Sequence, residues 1–186
     1  MNMPDSITTS SEGTIKRILI ACIGNIFLGD DGFGVEVAQR LLQRQFPEGV
    51  QVKDFGIRGM DLAYTLLDDY DTLVLVDAVP RGGQPGTLYL IEPDLTDMTP
   101  EKGGEAGRIA LDSHSMDPVK VLAYAQTLGA QPISTLLVGC EPASLGGDDP
   151  SDMQMGLSEP VQAAVDEAIK MIDSLVADLL RSAQVT

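Results

Sequence analysis

Three uninterrupted aliphatic runs decide what this chain can fold into: RILIACI at 17–23, TLVLVDAV at 72–79 and STLLVGCEP at 134–142. Each is short, bounded by turn residues and without the polar alternation of a strand that has one wet face, so each reads as a strand buried on both sides. Such strands need helices above and below them, and the intervening sequence supplies the spacing. From Asp31 onward Val35, Ala38, Leu41, Leu42 and Phe46 recur at helical intervals, ending before Pro47. VQVKDF at 50–55 is a second strand, and GIRGMDLAYTLLDDY at 56–70 gives a glycine-bounded turn and a short helix. After the turn RGGQPG, TLYLIEP at 87–93 forms a further strand, connected briefly enough to run antiparallel to its predecessor. Asp117 and Pro118 start a helix expected to reach Gly129, and Glu159 opens a long one with Val161, Val165, Ile169, Ile172, Leu175 and Leu179 on one face. The expectation is an α/β fold: three layers, a mostly parallel twisted sheet of about five strands, and helices on both faces.

Composition agrees. The 186 residues suit one domain spanning 1–186, with the Ser/Thr-rich 1–15 as a flexible tail. Hydrophobic residues are 44% while aromatics are 4% with no Trp, so the core is aliphatic. A net charge of −16, from 12 basic and 28 acidic residues, repels nucleic acid and anionic membranes. No apolar run reaches the 18 or so residues of a membrane span, and the N-terminus lacks the basic and apolar regions of a signal peptide. These features predict a soluble, cytoplasmic protein, and nothing in them requires more than a monomer. Cys22 and Cys140 each end an apolar run without paired spacing and read as buried, reduced thiols.

In doubly wound sheets ligands sit beyond the carboxyl ends of the strands. Asp30 or Asp31, in the glycine-rich turn GNIFLGDDGFG at 24–34, follows the first strand; Asp77 ends the third; His114, the only histidine, lies in a long acidic loop at 94–113 and just beyond. Taken singly, Asp31 could be a helix cap and His114 a surface residue. An acid ending the run LVLV is harder to dismiss, because a buried, unpaired carboxylate is costly. Together they are three ligands of a metal site with open positions. Oxygen donors alone would favour magnesium or calcium, and one imidazole shifts the preference toward zinc, nickel or another first-row metal.

GNIFLGDDGFG, LVLVDAV, SHSMDP, LLVGCEPASL and GLSEPV occur in an order and spacing that resemble the nickel-iron hydrogenase maturation endopeptidases, from Arg17 to about Leu180. The resemblance implies a small α/β protease that removes a C-terminal peptide from the hydrogenase large-subunit precursor after nickel insertion. It also implies Asp31, Asp77 and His114 as the nickel-recognising and catalytic residues. Nickel would come with the substrate precursor, and zinc or cadmium could occupy the site in vitro. Asp31 stands where some members carry Glu, so its turn must approach the metal more closely. GIRGMDL at 56–62 resembles a family loop near the site, where Arg58 either meets the substrate tail or forms an exposed ion pair. Because His114 binds metal only when neutral, metal affinity is expected to weaken below about pH 6.

Three other readings compete. A nucleotide-binding turn with Asp54 as the ribose acid lacks the G-x-G-x-x-G spacing and would set Asp30 and Asp31 against pyrophosphate. A non-enzymatic receiver-like or metal-binding module would use the same acids, but the last strand ends in GCEPAS without the lysine expected there. A cysteine protease would use Cys140, His114 and Asp77, yet nothing basic lies near Cys140 in sequence to lower its pKa, so Cys140→Ser should keep activity.

Overall fold

The computed structural model describes residues 15–93, 118–146 and 153–183. Its elements are β1 (Ile18–Ile23), a 3-10 turn (Gly29–Gly32), α1 (Phe33–Leu41), β2 (Val50–Gly56), α2 (Gly59–Thr65), β3 (Thr72–Ala78), β4 (Leu88–Ile91), α3 (Pro118–Thr127), β5 (Ser134–Cys140) and α4 (Glu159–Ala183). The five strands form one sheet in the order β2-β1-β3-β5-β4. Every pairing is parallel except β4 with β5.

The continuous apolar runs take the inner places. Along β1, Ile18, Ile20 and Cys22 point to one face, where Phe33, Val37 and Leu41 of α1 and Val161, Val165, Ile172 and Val176 of α4 cover them. Leu19, Ala21 and Ile23 point to the other, against Leu62 and Ala63 of α2 and Val121, Leu122 and Ala125 of α3. Side chains alternate across a strand, so a run that is apolar at every position fills both layers of an α/β/α sandwich.

Two local readings change. The strand at 88–91 runs opposite to β3, as its short connection requires, but its hydrogen-bonded neighbour is β5. β5 is inserted between them because it needs a partner on each edge, whereas half-buried β4 suits the margin. The first helix stops at Leu41 instead of continuing toward Phe46; Leu42 is exposed, and Phe46 packs on the core from the following turn.

The arrangement places the site. From β1 the chain passes by α1 to β2 on one side, then by α2 to β3 on the other. The strand order therefore reverses between β1 and β3, and a crevice opens beyond their carboxyl ends.

Candidate active site

Glycines set the shape of this crevice. Gly24 ends β1 with φ +143°, and a Cβ there would lie 2.0 Å from the Asp31 carbonyl oxygen, so only glycine lets the turn fold back on itself. A Cβ on Gly34 would lie 2.1 Å from the Ile23 carbonyl oxygen and 2.4 Å from that of Val76. The start of α1 thus rests directly on the ends of β1 and β3. The glycine richness that resembles a nucleotide loop is used here for backbone packing, and it sets Asp31 over the gap between the two strands.

Asp31 accepts one hydrogen bond, from Asn25 N–H at 2.9 Å, and burial raises its pKa against that bond. Asp77 accepts one from Ala78 N–H at 2.8 Å. Its pKa stands well above the ordinary aspartate range, first through burial and then through the negative charge of Asp31, with the Ala78 bond opposing. Two carboxylates from distant parts of the sequence therefore meet at the switch point, close enough for the Asp31 charge to disfavour the ionised form of Asp77. This environment suits a cation or a mobile proton.

Asp30, next in sequence, is occupied otherwise. It is 2% exposed and accepts hydrogen bonds from Ala143 N–H at 2.7 Å, Ser144 N–H at 3.4 Å, Ser158 N–H at 2.6 Å and Ser158 O–H at 2.9 Å. One carboxylate thus joins the β1 turn to the segment after β5 and to the start of α4, where it also meets the unsatisfied N–H of a helix N-terminus. Sequence reasoning weighed Asp30 only as an alternative ligand to Asp31 and gave it no structural role.

Glu141 was missed altogether. It is 4% exposed and is held by Arg81 N–H at 2.8 Å, Gly82 N–H at 3.0 Å and Tyr89 O–H at 2.8 Å. Burial alone would raise its pKa, but Tyr89 and the N–H groups of residues 81–83 outweigh burial and hold it below the usual glutamate range. The available signal was an acid immediately after a buried strand, the same argument applied to Asp77.

Arg58 makes local, exposed contacts. It donates to the carbonyls of Phe55 and Asp54 and pairs with Asp61 at 3.6 Å, both side chains being well exposed. Asp54 accepts from Gly56 N–H at 2.9 Å, a local turn contact. Cys22 and Cys140 are free and buried. Burial, with Asp30 and Glu141 nearby, pushes the Cys140 thiol up to about 12, far from the thiolate a nucleophile needs. His114 lies outside the described residues, as do 94–117 in general. Among the described residues no group of three His, Cys, Asp or Glu side chains could hold a metal ion, and no helix is long and apolar enough to cross a membrane.

Comparison with known proteins gives a consistent result. The model of the hydrogenase maturation protease family matches residues 35–175. The chain is similar to the hydrogenase expression/formation protein HupM of Azotobacter chroococcum, with 36% identity over 167 residues, 89% of this chain and 74% of that one. It is also similar to a putative hydrogenase maturation protease of Methanocaldococcus jannaschii, with 34% identity over 84% of this chain and 94% of the other. Among solved structures, the hydrogenase maturating endopeptidase HybD from E. coli superposes with a TM-score of 0.63 at 27% identity, covering 87% of this chain and 93% of that one. With the family model matched over residues 35–175 and a relative 36% identical across 89% of its length, this chain belongs to the hydrogenase maturation proteases.

Proposed function

We propose that the chain, acting as a cytoplasmic monomer, removes a C-terminal peptide from the nickel-loaded large-subunit precursor of a nickel-iron hydrogenase. Asp31, Asp77 and His114 engage the nickel that the precursor carries. The observation that carries this reading is the Asp31 and Asp77 pair, two partly buried carboxylates at the β1/β3 switch point, both with raised pKa values, that of Asp77 raised first by burial and then by the Asp31 charge. Their donor set fits a divalent cation: oxygen ligands whose mutual repulsion a positive charge relieves. A precursor without metal brings no such relief, so nickel-loaded substrate is bound preferentially.

A second role within the same activity is open to Asp77: a carboxylate beside the scissile bond can take a proton from attacking water and return it to the leaving amine. Cys140 contributes neither nucleophile nor base, in keeping with its buried thiol.

The test is cleavage of purified precursor, with and without nickel, by the wild type and by Asp31→Ala, Asp77→Ala and His114→Ala, followed by intact mass. The expected result is loss of one C-terminal peptide from nickel-loaded precursor only, abolished in each variant. Equal cleavage of nickel-free precursor would overturn metal recognition, and an intact nickel-loaded precursor would overturn the activity.

A further inference from the structure

The acidic turn has an apolar rim that the chemistry above does not use. Ile26 and Phe27 in the turn are 43% and 46% exposed, and Met153 and Met155 are 58% and 72% exposed. The two segments are joined through the backbone. Gln154 N–H donates to Phe27 O at 3.1 Å, Gly29 N–H donates to Gln154 O at 2.6 Å, and Leu28 and Gln154 form a parallel bridge. Asp30 braces the frame by holding Ser144 and Ser158, on either side of the methionines in sequence. Beside the segments lies a cavity of about 210 Å³, lined by Ile26, Met155 and Leu157 and, on its helical side, by Glu36, Gln39 and Gln162.

We propose that this lip is the docking surface for an apolar segment of the precursor polypeptide, gripped beside the Asp31 and Asp77 pair; the inference rests on the protease reading above. A polypeptide reaching Asp31 has to pass over the turn that carries it. Ile26 adjoins Gly32, and Asn25 bonds the Asp31 carboxylate, so lip and site are one continuous surface. Four large apolar side chains held in water by a braced backbone form the kind of patch that marks an interaction site. Methionines adapt to side chains of varied shape. Charge selects among occupants: a second copy of this chain would bring another −16, and an anionic membrane would be repelled likewise. An uncharged stretch of substrate gains from burial here without opposing that field.

The experiment measures binding and cleavage of nickel-loaded precursor by Phe27→Ser, Met155→Ser and the double variant Ile26→Ser/Met155→Ser, with Leu67→Ser and Leu128→Ser as controls. Both control leucines are exposed at the opposite end of the strands. Binding is also read in an Asp77→Asn background, each lip variant compared with Asp77→Asn alone, so that the comparison does not depend on cleavage. The double variant is expected to weaken Kd and raise KM about 10-fold, the scale of one interface anchor, with kcat at saturation and thermal midpoint unchanged. The controls should bind as wild type. Lip variants that bind and cleave normally, or controls that lose as much, would overturn the docking surface while leaving the protease reading intact. Lip-dependent binding without wild-type cleavage would support the surface and remove the protease reading. A wild-type dimer dissolved by the lip substitutions would assign the surface to a second copy and overturn the proposal.

Discussion

Among the described residues, the four acidic side chains at or just beyond the carboxyl ends of β1, β3 and β5 divide into two pairs. Asp30 and Glu141 are almost fully buried and are surrounded by donors: four bonds to Asp30 from backbone N–H and Ser158, and N–H groups with the Tyr89 hydroxyl on Glu141. Asp31 and Asp77 are less buried, yet each accepts a single backbone bond among the described residues and both have raised pKa values. Depth of burial therefore does not explain why one pair is saturated with donors and the other is not. The balance of donors separates their roles: a saturated carboxylate is a brace, and an undersupplied one is available for a cation or a proton.

If that division holds, its largest consequence falls on Asp30. Asp30→Ala leaves Ala143 N–H and both donors of Ser158 without their acceptor, which costs about 3 kcal/mol. A urea melt reads this loss directly, and it corresponds to roughly 6–12 °C in Tm for a chain of this size. A variant as stable as wild type would mean the brace is unnecessary and would erase the contrast with Asp31.

Glu141→Gln comes next and has a pH signature. The folded pKa of Glu141 lies below its ordinary value, so its charge contributes stability above the unfolded pKa and loses it as pH falls through the folded one. The variant should melt lower than wild type at pH 7, and the gap should begin to close as pH drops below the ordinary glutamate value, about 4.5, and vanish below the folded pKa. A gap that does not narrow at all as pH falls from about 5 to about 3 would place the effect in packing.

Asp77→Asn should have the opposite sign. A raised folded pKa means that the folded state holds its proton more tightly, so ionising Asp77 costs stability as pH rises through that pKa, and below the unfolded value the cost is absent. In metal-free buffer the variant is expected to gain about 1 kcal/mol at pH 8, some 2–4 °C, while losing activity. The gain should vanish near pH 3. Destabilisation at pH 8 would move Asp77 into the structural pair.

How much of this was legible beforehand follows from the range of the forces. The inner strands could be read because continuous apolar runs need cover on both faces, and the positions of Asp31 and Asp77 because they follow or end such runs. The direction of β4 followed from a short connection, but not its place beside β5, which depends on which strand needs two neighbours. The brace on Asp30 was invisible, since its partners lie 113 to 128 residues away and most are backbone N–H groups that every residue except proline carries. For that reason the doubled aspartate showed that something acidic was required and not that its two members do different work.

The smallest effect on stability, and the sharpest test of the pair, is expected from Asp31→Asn. It removes a charge that burial disfavours and keeps an oxygen for Asn25 N–H, so the two changes offset and stability should stay within about 0.5 kcal/mol of wild type. Its effect should appear instead on Asp77. Burial is the first cause of the raised Asp77 pKa and the Asp31 charge the second, so neutralising Asp31 should lower that pKa while leaving it above the ordinary range. Carboxyl carbon shifts followed by NMR titration in chelator-treated buffer report this directly, and in wild type the two groups should titrate as a coupled pair. An Asp77 midpoint that does not move would mean the carboxylates do not sense each other, and a shared cation site could not then be built on them. A fall in the midpoint, together with unchanged stability, would show that the turn at 24–34 spends its two aspartates differently: Asp30 on holding the fold, Asp31 on the charge that Asp77 must share.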